Sequence, residues 1–278
     1  MTAVPTSATH PRDARAAITK IASWYHSIEV APGVVTPGAF DLRPVVERLP
    51  WPDVRGKRCL DIGTWDGFLA FELERRGARE VVAVDVGDHN QWDWELHRRA
   101  RGPEYLRHLV GPTMGEGFRL ARELLDSSVR LEQFNVYDLS AESIGEFDVV
   151  VCGSLLLHLR DPLRALAAIR SVCREHFLCT NQLEFALTLL HRRRALARLD
   201  GTSGVTQWWL PNRAAHRQML LAAGFEIVRE SGLYSIPYGA AHPSVSRRPR
   251  SLLGSLARRL LTGNDGVTHL ALLARPSI

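Results

Sequence analysis

The stretch RCLDIGTWDGFLAFELERRGAREVVAVDV, residues 58–86, decides the fold of this chain. A short apolar run ends at Gly63, the segment from Phe68 has the apolar spacing of a helix, and a second apolar run ends at Asp85. The pattern predicts strand, glycine loop, helix and strand. Two parallel strands joined by a helix form a right-handed crossover, which brings the glycine loop and the end of the second strand to one edge of the sheet. A ligand at that edge contacts both.

The composition of the glycine loop distinguishes between ligands. A dinucleotide site needs three glycines so that a pyrophosphate can sit on the helix N-terminus. Here residues 64–66, Thr-Trp-Asp, separate Gly63 from Gly67, and the carboxylate among them would repel a phosphate. S-adenosylmethionine has no phosphate and carries cationic sulfonium and ammonium groups, so acidic residues in the loop and at Asp61 suit it better. Asp85, about twenty residues after the loop, is placed to accept hydrogen bonds from both ribose hydroxyls.

Four motifs, DIGTWDGF, AVDV, FNVYDL and FDVVVCGSLLLHLRDPLRAL, resemble the class I S-adenosylmethionine-dependent methyltransferases. The opening WYHSIEVAPGVVTPG and the run FDLRPVVERLPWPDVRGK resemble the group related to the tRNA wobble-uridine carboxymethyltransferases, which also contains small-molecule enzymes. The resemblance implies an α/β fold with a Rossmann-like seven-stranded sheet whose last strand is antiparallel. It further implies an N-terminal helical lid over residues 1–50, a methyltransferase domain over 51–278, and acceptor-pocket insertions near 91–126 and 183–210. The loop departs from the family's common GxGxG at Trp65.

The same motifs predict a cofactor site at the ends of the first four strands. After strand three, near 129–135, class I enzymes place an acid on the adenine amino group, and Asp138 fits by position; its alternative role is to cap a short helix over 139–144. Strand four, 147–152, is an unbroken apolar run typical of a strand buried on both faces, and Gly153 would let the ligand approach the backbone. The predicted cofactor-binding residues are Asp61, Gly63, Thr64, Trp65, Asp66, Gly67, Asp85, Val86, Tyr137, Asp138, Gly153 and Ser154.

Three residues are catalytic candidates. A neutral imidazole at His158 has an unperturbed pKa of about 6.5 and suits the removal of a proton from the acceptor; the alternative is a histidine that only packs within its loop. Tyr25 and His26 belong to an N-terminal segment of the kind that closes over the cofactor, and closure excludes water and aligns the groups of an in-line displacement. Their alternative role is to anchor the first helix, with Trp24 packed on the sheet.

Acceptor-pocket candidates lie in the two insertions. Trp92 falls in the first, which is long enough to hold an extra helix beside the site, and Gln182, Glu184 and Trp208 fall in or before the second. Paired tryptophans suit a flat or apolar acceptor, although either one alone also suits a core. A helix-like basic segment is expected to reach Arg198.

Capping residues and two apolar runs predict the remaining elements. Asp161 with Pro162 is expected to begin one helix, and Asn212 to cap another over 213–223. The runs GFEIVRES and VTHLALLAR are expected to form the last two strands.

Composition limits the class of protein. A chain of 278 residues with 45% hydrophobic content can bury one large core. Because it has no apolar run of about eighteen residues and no signal-peptide pattern, we expect a cytoplasmic monomer or homodimer without a membrane partner. The four cysteines lack C-x-x-C spacing and are expected to be buried thiols. No metal is expected, because the positions after strands four and five lack a cluster of carboxylates.

The net charge of +5 is modest for this length, and nearly all of the basic residues are arginines. Clusters at 191–194, 247–250 and 258–259 would suit phosphate contacts or solvated helix faces, so nucleic acid is the less favoured partner. The sequence predicts S-adenosylmethionine-dependent methyl transfer to oxygen or nitrogen of a small specialised metabolite by direct displacement. The alternatives are a tRNA wobble-uridine methyl- or carboxymethyltransferase and a non-catalytic, cofactor-binding regulatory protein.

Overall fold

The N-terminal part of the chain is mostly extended. The structure, a computed structural model, describes residues 11–110, 115–201, 206–242 and 252–277, so the arginine cluster at 247–250 lies outside the described residues. The elements here are α1 (Pro11–Ile18), β1 (Trp24–His26), β2 (Glu29–Ala31), β3 (Val34–Val35) and β4 (Gly38–Phe40). β1 pairs with β4 and β2 with β3. The expectation of a helical segment is wrong beyond α1, because aromatic and β-branched residues favour strands there.

The remaining strands build the central sheet and one small hairpin. They are β5 (Arg58–Ile62), β6 (Glu80–Asp85), β7 (Arg130–Gln133), β8 (Phe147–Gly153), β9 (Cys173–Gln182), β10 (Ala197–Leu199), β11 (Trp209–Pro211), β12 (Phe225–Glu230), β13 (Tyr234–Ile236) and β14 (Val267–Pro276). The order across the sheet is β12-β14-β9-β8-β5-β6-β7, with β13 paired to β14. β5 to β9 run parallel, and β14 is antiparallel to both its neighbours. The predicted seven-stranded class I sheet with an antiparallel last strand is confirmed.

Helices cover both faces of this sheet. They are α2 (Phe68–Arg75), α3 (Leu96–Arg99), α4 (Pro103–Val110), α5 (Glu116–Leu124), α6 (Ala141–Ile144), α7 (Pro162–Val172), α8 (Phe185–Leu190), α9 (Arg213–Ala222) and α10 (Leu252–Thr262). α2 and α5 belong to the apolar cluster on one face, and α7 and α9 to the cluster on the other. Val149 to Cys152 of β8 are fully buried between the two clusters, as their unbroken apolar pattern predicts.

Two predicted helix starts are confirmed and one predicted helix is too long. The Asp161 side chain accepts from the Arg164 backbone N–H at the start of α7, and the Asn212 side chain accepts from that of Ala215 at the start of α9. The basic segment is expected to be helical up to Arg198. Instead, α8 ends at Leu190, and the chain then forms β10, which pairs with β11. The Asn212 amide group donates to two backbone carbonyls in the connecting turn, at residues 191 and 194, and so fixes the turn in place of a further helical turn.

All four cysteines are unpaired and buried, as predicted. Burial raises the pKa of the Cys59, Cys152 and Cys173 thiols to about 12, so they are inert at neutral pH. Within the described ranges no helix is long and apolar enough to cross a membrane. Over the same ranges no three His, Cys, Asp or Glu side chains are grouped so as to hold a metal ion.

Candidate active site

The glycine loop is attached to the end of the second strand through Asp85. One carboxylate oxygen of Asp85 accepts from the Trp65 backbone N–H at 2.8 Å, and the other accepts from that of Val86 at 2.8 Å. Trp65 has φ +49°, the left-handed conformation for which the family loop has a glycine. Burial raises the pKa of Asp85 to about 6. The carboxylate therefore fixes the loop and stays at the edge of the sheet where a ligand would meet it.

Gly67 at the end of this loop has no room for a side chain. It precedes α2 with φ +92°, and a Cβ there would lie 2.6 Å from the ring of Phe71 and 2.7 Å from that of Phe118. The close approach lets α2 and α5 pack against each other directly behind the loop.

A cavity of about 340 Å³ opens at the carboxyl ends of β5, β6, β7 and β8. This volume is within the range of small-molecule sites. The lining residues at or just after the strand ends, which we call the sheet wall, are Gly63, Trp65, Asp85, Val86, Asn135, Tyr137, Gly153 and Ser154. The lining residues from the N-terminal strand and from the segment 91–109, which we call the cap wall, are Tyr25, His26, Gln91, Trp92, Asp93, Trp94, Arg98 and Leu109. His158 and Thr206 also line the cavity.

Seven of the predicted cofactor residues line this cavity, but Asp61, Thr64, Asp66, Gly67 and Asp138 do not. Asp61 is 1% exposed and accepts a hydrogen bond from the Thr64 hydroxyl at 2.7 Å, and burial raises its pKa to about 7. These two residues support the loop from behind.

The placement of Asp138 corrects the sequence prediction. Its side chain is 71% exposed and lies 4.0 Å from Arg164, away from the cavity. The Asn135 side chain accepts from the Tyr137 backbone N–H and turns the chain, so Tyr137 lines the cavity and Asp138 does not. The alternative role of Asp138 is also wrong, because Ser140 caps α6.

Asp66 joins the glycine loop to the N-terminal strand. Its buried carboxylate accepts from the backbone N–H groups of Tyr25 at 2.6 Å and His26 at 3.0 Å. Burial raises the pKa of this carboxyl to about 6. The contact brings both catalytic candidates of β1 onto the cavity. Nothing in the sequence indicated this role, because the partners are about forty residues apart.

His158 has a defined tautomer. Its Nδ1 lies 2.9 Å from the Thr206 carbonyl oxygen, and because a carbonyl only accepts, Nδ1 carries the proton and Nε2 keeps its lone pair. Burial lowers the pKa of His158. Burial also lowers the pKa of His26 to about 3 and raises that of Tyr25 to about 12, so neither of those side chains is charged at neutral pH.

Asp93 connects the cap wall to Tyr137, Arg160 and Trp208 by hydrogen bonds, and the sequence did not predict this role. One oxygen of its carboxylate accepts from the Tyr137 hydroxyl at 2.6 Å and from the Arg160 backbone N–H at 2.8 Å. Its backbone carbonyl accepts from the Trp208 indole at 2.8 Å. The predicted acceptor residue Trp92 lines the cavity, stacked on Trp94 with ring centroids 5.4 Å apart, whereas Trp208 supports the cap from outside it. The motif W-D-W was the available signal.

Two other predicted acceptor residues lie elsewhere. Gln182 is at the end of β9, in register with His269 of β14, and it does not line the cavity. Glu184 accepts from the Arg198 guanidinium at 3.0 Å and is also outside the cavity. The structure therefore brings neither side chain to the cavity, because β9 continues to Gln182, past the strand end that the sequence suggested, and Glu184 stands at the start of α8.

Comparison with known proteins identifies the class. A profile of the methyltransferase domain family matches residues 40–230, and the chain belongs to this family. The ubiquinone biosynthesis O-methyltransferase of Acinetobacter baumannii (strain AYE) is 25% identical over 202 residues, which cover 68% of this chain and 74% of that protein. The enzyme of the same name from Psychrobacter arcticus is 27% identical over 189 residues, covering 66% and 64% of the two chains.

Solved structures share the fold. The N-terminal domain of EvdMO1 with bound S-adenosylhomocysteine has a TM-score of 0.52 at 16% identity, covering 96% of this chain and 98% of that one. A chain from the complex between the Haloferax volcanii Trm112 methyltransferase activator and a methyltransferase has a TM-score of 0.53 at 14% identity. The match covers 85% of this chain and 88% of that one.

The protein is an S-adenosylmethionine-dependent methyltransferase. The residues present fit this cofactor: the sheet wall offers the Asp85 carboxylate at the end of the second strand and the loop at Gly63 beside Gly153. When bound, S-adenosylmethionine supplies an electrophilic methyl group.

Proposed function

We propose that the protein methylates an oxygen or nitrogen of a small, specialised metabolite. The observation that carries this proposal is the state of His158, a residue on the cavity whose proton is fixed on Nδ1 by the Thr206 carbonyl. A small acceptor also fits a cavity with an aromatic cap and a volume of about 340 Å³. The similarity to ubiquinone biosynthesis O-methyltransferases supports the same class of acceptor.

In the proposed mechanism the sheet wall, with Asp85 and the loop at Gly63, would hold S-adenosylmethionine, which would supply an electrophilic methyl group to the acceptor oxygen or nitrogen. The acceptor's proton passes to Nε2 of His158, which is unprotonated at neutral pH because burial lowers the histidine's pKa. Tyr25 and His26 position the acceptor and exclude water, and with a phenol pKa of about 12 and an imidazole pKa of about 3 they take no proton.

The lid role of the N-terminal segment belongs to this proposal. The described part of residues 1–50 is attached to the site by the Asp66 contacts with β1 and by a backbone bridge between Phe40 and Tyr238. Tyr25 contacts the ring of Phe40 on one side and that of Trp65 on the other. The segment thus reaches from the surface to the glycine loop, where a lid over the cofactor would lie.

The experiment is transfer of labelled methyl from S-adenosylmethionine, with a small-molecule extract of the source cells in one reaction and total tRNA in another. We expect label in the extract and none in acid-precipitable tRNA. Label in tRNA would instead support the wobble-uridine group suggested by the N-terminal motifs. Label in neither, from protein that binds S-adenosylhomocysteine, would support a non-catalytic cofactor-binding protein.

A further inference from the structure

We propose that Arg98 binds a carboxylate of the acceptor and that the acceptor is a flat aromatic acid. The inference rests on the proposed function and names the class of substrate for the same cavity. It starts from the cap wall, because the residues expected to bind the cofactor line the sheet wall.

Arg98 lines the cavity and has an unused hydrogen-bond donor. Its side chain is 18% exposed, and its Nε is buried without a hydrogen-bond partner among the described residues. The nearest carboxylate is that of Glu95, with Oε2 at 3.5 Å from Nε, and neither oxygen of Glu95 has a hydrogen-bond partner. Glu95 therefore offsets the charge of Arg98 without using its hydrogen-bond donors. A buried donor without a partner is costly, and a ligand that supplies an acceptor removes that cost.

Among the described residues that line the cavity, Arg98 is the arginine, and its ion pair with Glu95 leaves its Nε without a hydrogen bond. The Asp85 carboxylate accepts from two backbone N–H groups, and one oxygen of the Asp93 carboxylate accepts two further hydrogen bonds. His26 is neutral, with a pKa of about 3. A guanidinium presents parallel N–H donors that match the two oxygens of a carboxylate. The unused donor of Arg98, rather than an unpaired charge, is therefore what a carboxylate of the acceptor would use.

The surroundings of Arg98 favour a planar body for that anion. The rings of Trp92 and Trp94, on the cap wall, lie within 21° of parallel, and the ring centroid of Trp65 lies 5.6 Å from that of Trp92. Indole faces and edges pack well against flat aromatic rings. A flat aromatic acid satisfies the guanidinium and the indoles together.

The test is calorimetric binding to the protein saturated with S-adenosylhomocysteine. The probes are hydroxynaphthoate and indole carboxylate, each compared with its own carboxamide, which has the same shape without the charge. We expect each acid to bind at least tenfold more tightly than its amide. Arg98→Gln should abolish this preference and Arg98→Lys should keep part of it. Arg99→Gln is the matched control, because Arg99 is exposed on the same helix and the change removes the same charge.

Equal affinity for acid and amide, or binding of neither acid, overturns the proposal, and the wild-type comparison remains decisive even if the variants do not fold. A tenfold loss of S-adenosylhomocysteine affinity in Arg98→Gln also overturns it, because Arg98 would then contact the cofactor. Failure of the proposed function is distinguishable: it appears as absent cofactor binding, or as label in tRNA, whatever the preference between acid and amide.

Discussion

The two walls of the cavity differ in how their polar groups are used. On the sheet wall the Asp85 carboxylate accepts two backbone hydrogen bonds, and the Ser154 hydroxyl lies 2.9 Å from a His269 ring nitrogen. On the cap wall Nδ1 of His26 and Nε of Arg98 are buried without a hydrogen-bond partner among the described residues. A wall with satisfied groups is preorganised for a ligand of constant structure. A wall with unsatisfied groups is completed by the acceptor, so specificity should reside there.

The largest effect is expected at His158. His158→Ala should lower kcat by about 10² or more, because a positioned general base contributes that much. Affinity for S-adenosylhomocysteine should stay within about twofold, as measured by calorimetry. His108→Ala, an exposed histidine on α4, should leave both quantities unchanged. The wild-type rate should decline only below about pH 6.5, because burial lowers the pKa of this base. A full rate in His158→Ala would remove the base from the mechanism.

The next effect tests the rigidity of the sheet wall. Gly67→Ala should lower the free energy of unfolding by at least about 2 kcal/mol, because its Cβ meets two phenyl rings and its φ is left-handed. Gly232→Ala is the matched control, because a Cβ at that glycine has nothing within 4 Å. Urea unfolding measures both. Equal stability of the two variants would show that α2 and α5 adjust around the loop.

Two aspartates, Asp85 on the cavity and Asp138 on the surface, allow a matched test of the cofactor site. Asp85→Asn should weaken binding of S-adenosylhomocysteine at least tenfold, because an amide has one acceptor oxygen for two backbone N–H groups and the ribose. Asp138→Asn should change affinity less than twofold, since that side chain is 71% exposed. Titration calorimetry measures the affinity of both variants for S-adenosylhomocysteine. A larger loss of affinity in Asp138→Asn than in Asp85→Asn would support the adenine contact that the sequence suggested for Asp138.

The smallest expected effect is a dependence of cofactor affinity on pH. The pKa of Asp85 is raised to about 6, so lowering the pH from 7.5 to 5 protonates it and removes the anionic acceptor. Affinity for S-adenosylhomocysteine should fall about three- to tenfold over this window, since about one-tenth of the carboxyl stays ionised one unit below its pKa. Asp85→Asn should flatten this dependence, and an equal slope in the variant would assign it to Asp61 or Asp66.

The same raised pKa values predict the behaviour of the unliganded protein. Asp61, Asp66 and Asp85 hold protons to higher pH in the folded chain than the usual value of about 3.9. Because the folded state then binds more protons than the unfolded state, the stability due to these carboxyls is present at low pH and is lost as pH rises through 6 to 7.

The sequence was sufficient for the sheet wall because the spacing of apolar residues specifies parallel strands, and the ends of parallel strands share an edge. Gly63, Asp85 and Gly153 each follow a strand and therefore meet. The cap wall depends on contacts without such a rule. The Asp66 contact with β1 and the Asp93 contact with Tyr137 join residues about forty positions apart. The direction in which a side chain points also could not be predicted from the sequence. Asp138 is an example, because the turn fixed by Asn135 directs it away from the cavity.

The row formed by Trp65, Trp92 and Trp94 has an optical consequence. Successive ring centroids are 5.6 and 5.4 Å apart, close enough for excitation of one indole to pass to the next. All three residues line the cavity, and Trp65 is bound through its backbone to the carboxylate at the cofactor edge. The protein thus contains its own fluorophore in the wall of the cavity. Entry of either molecule would register as a change in intrinsic emission, without a label and before any turnover.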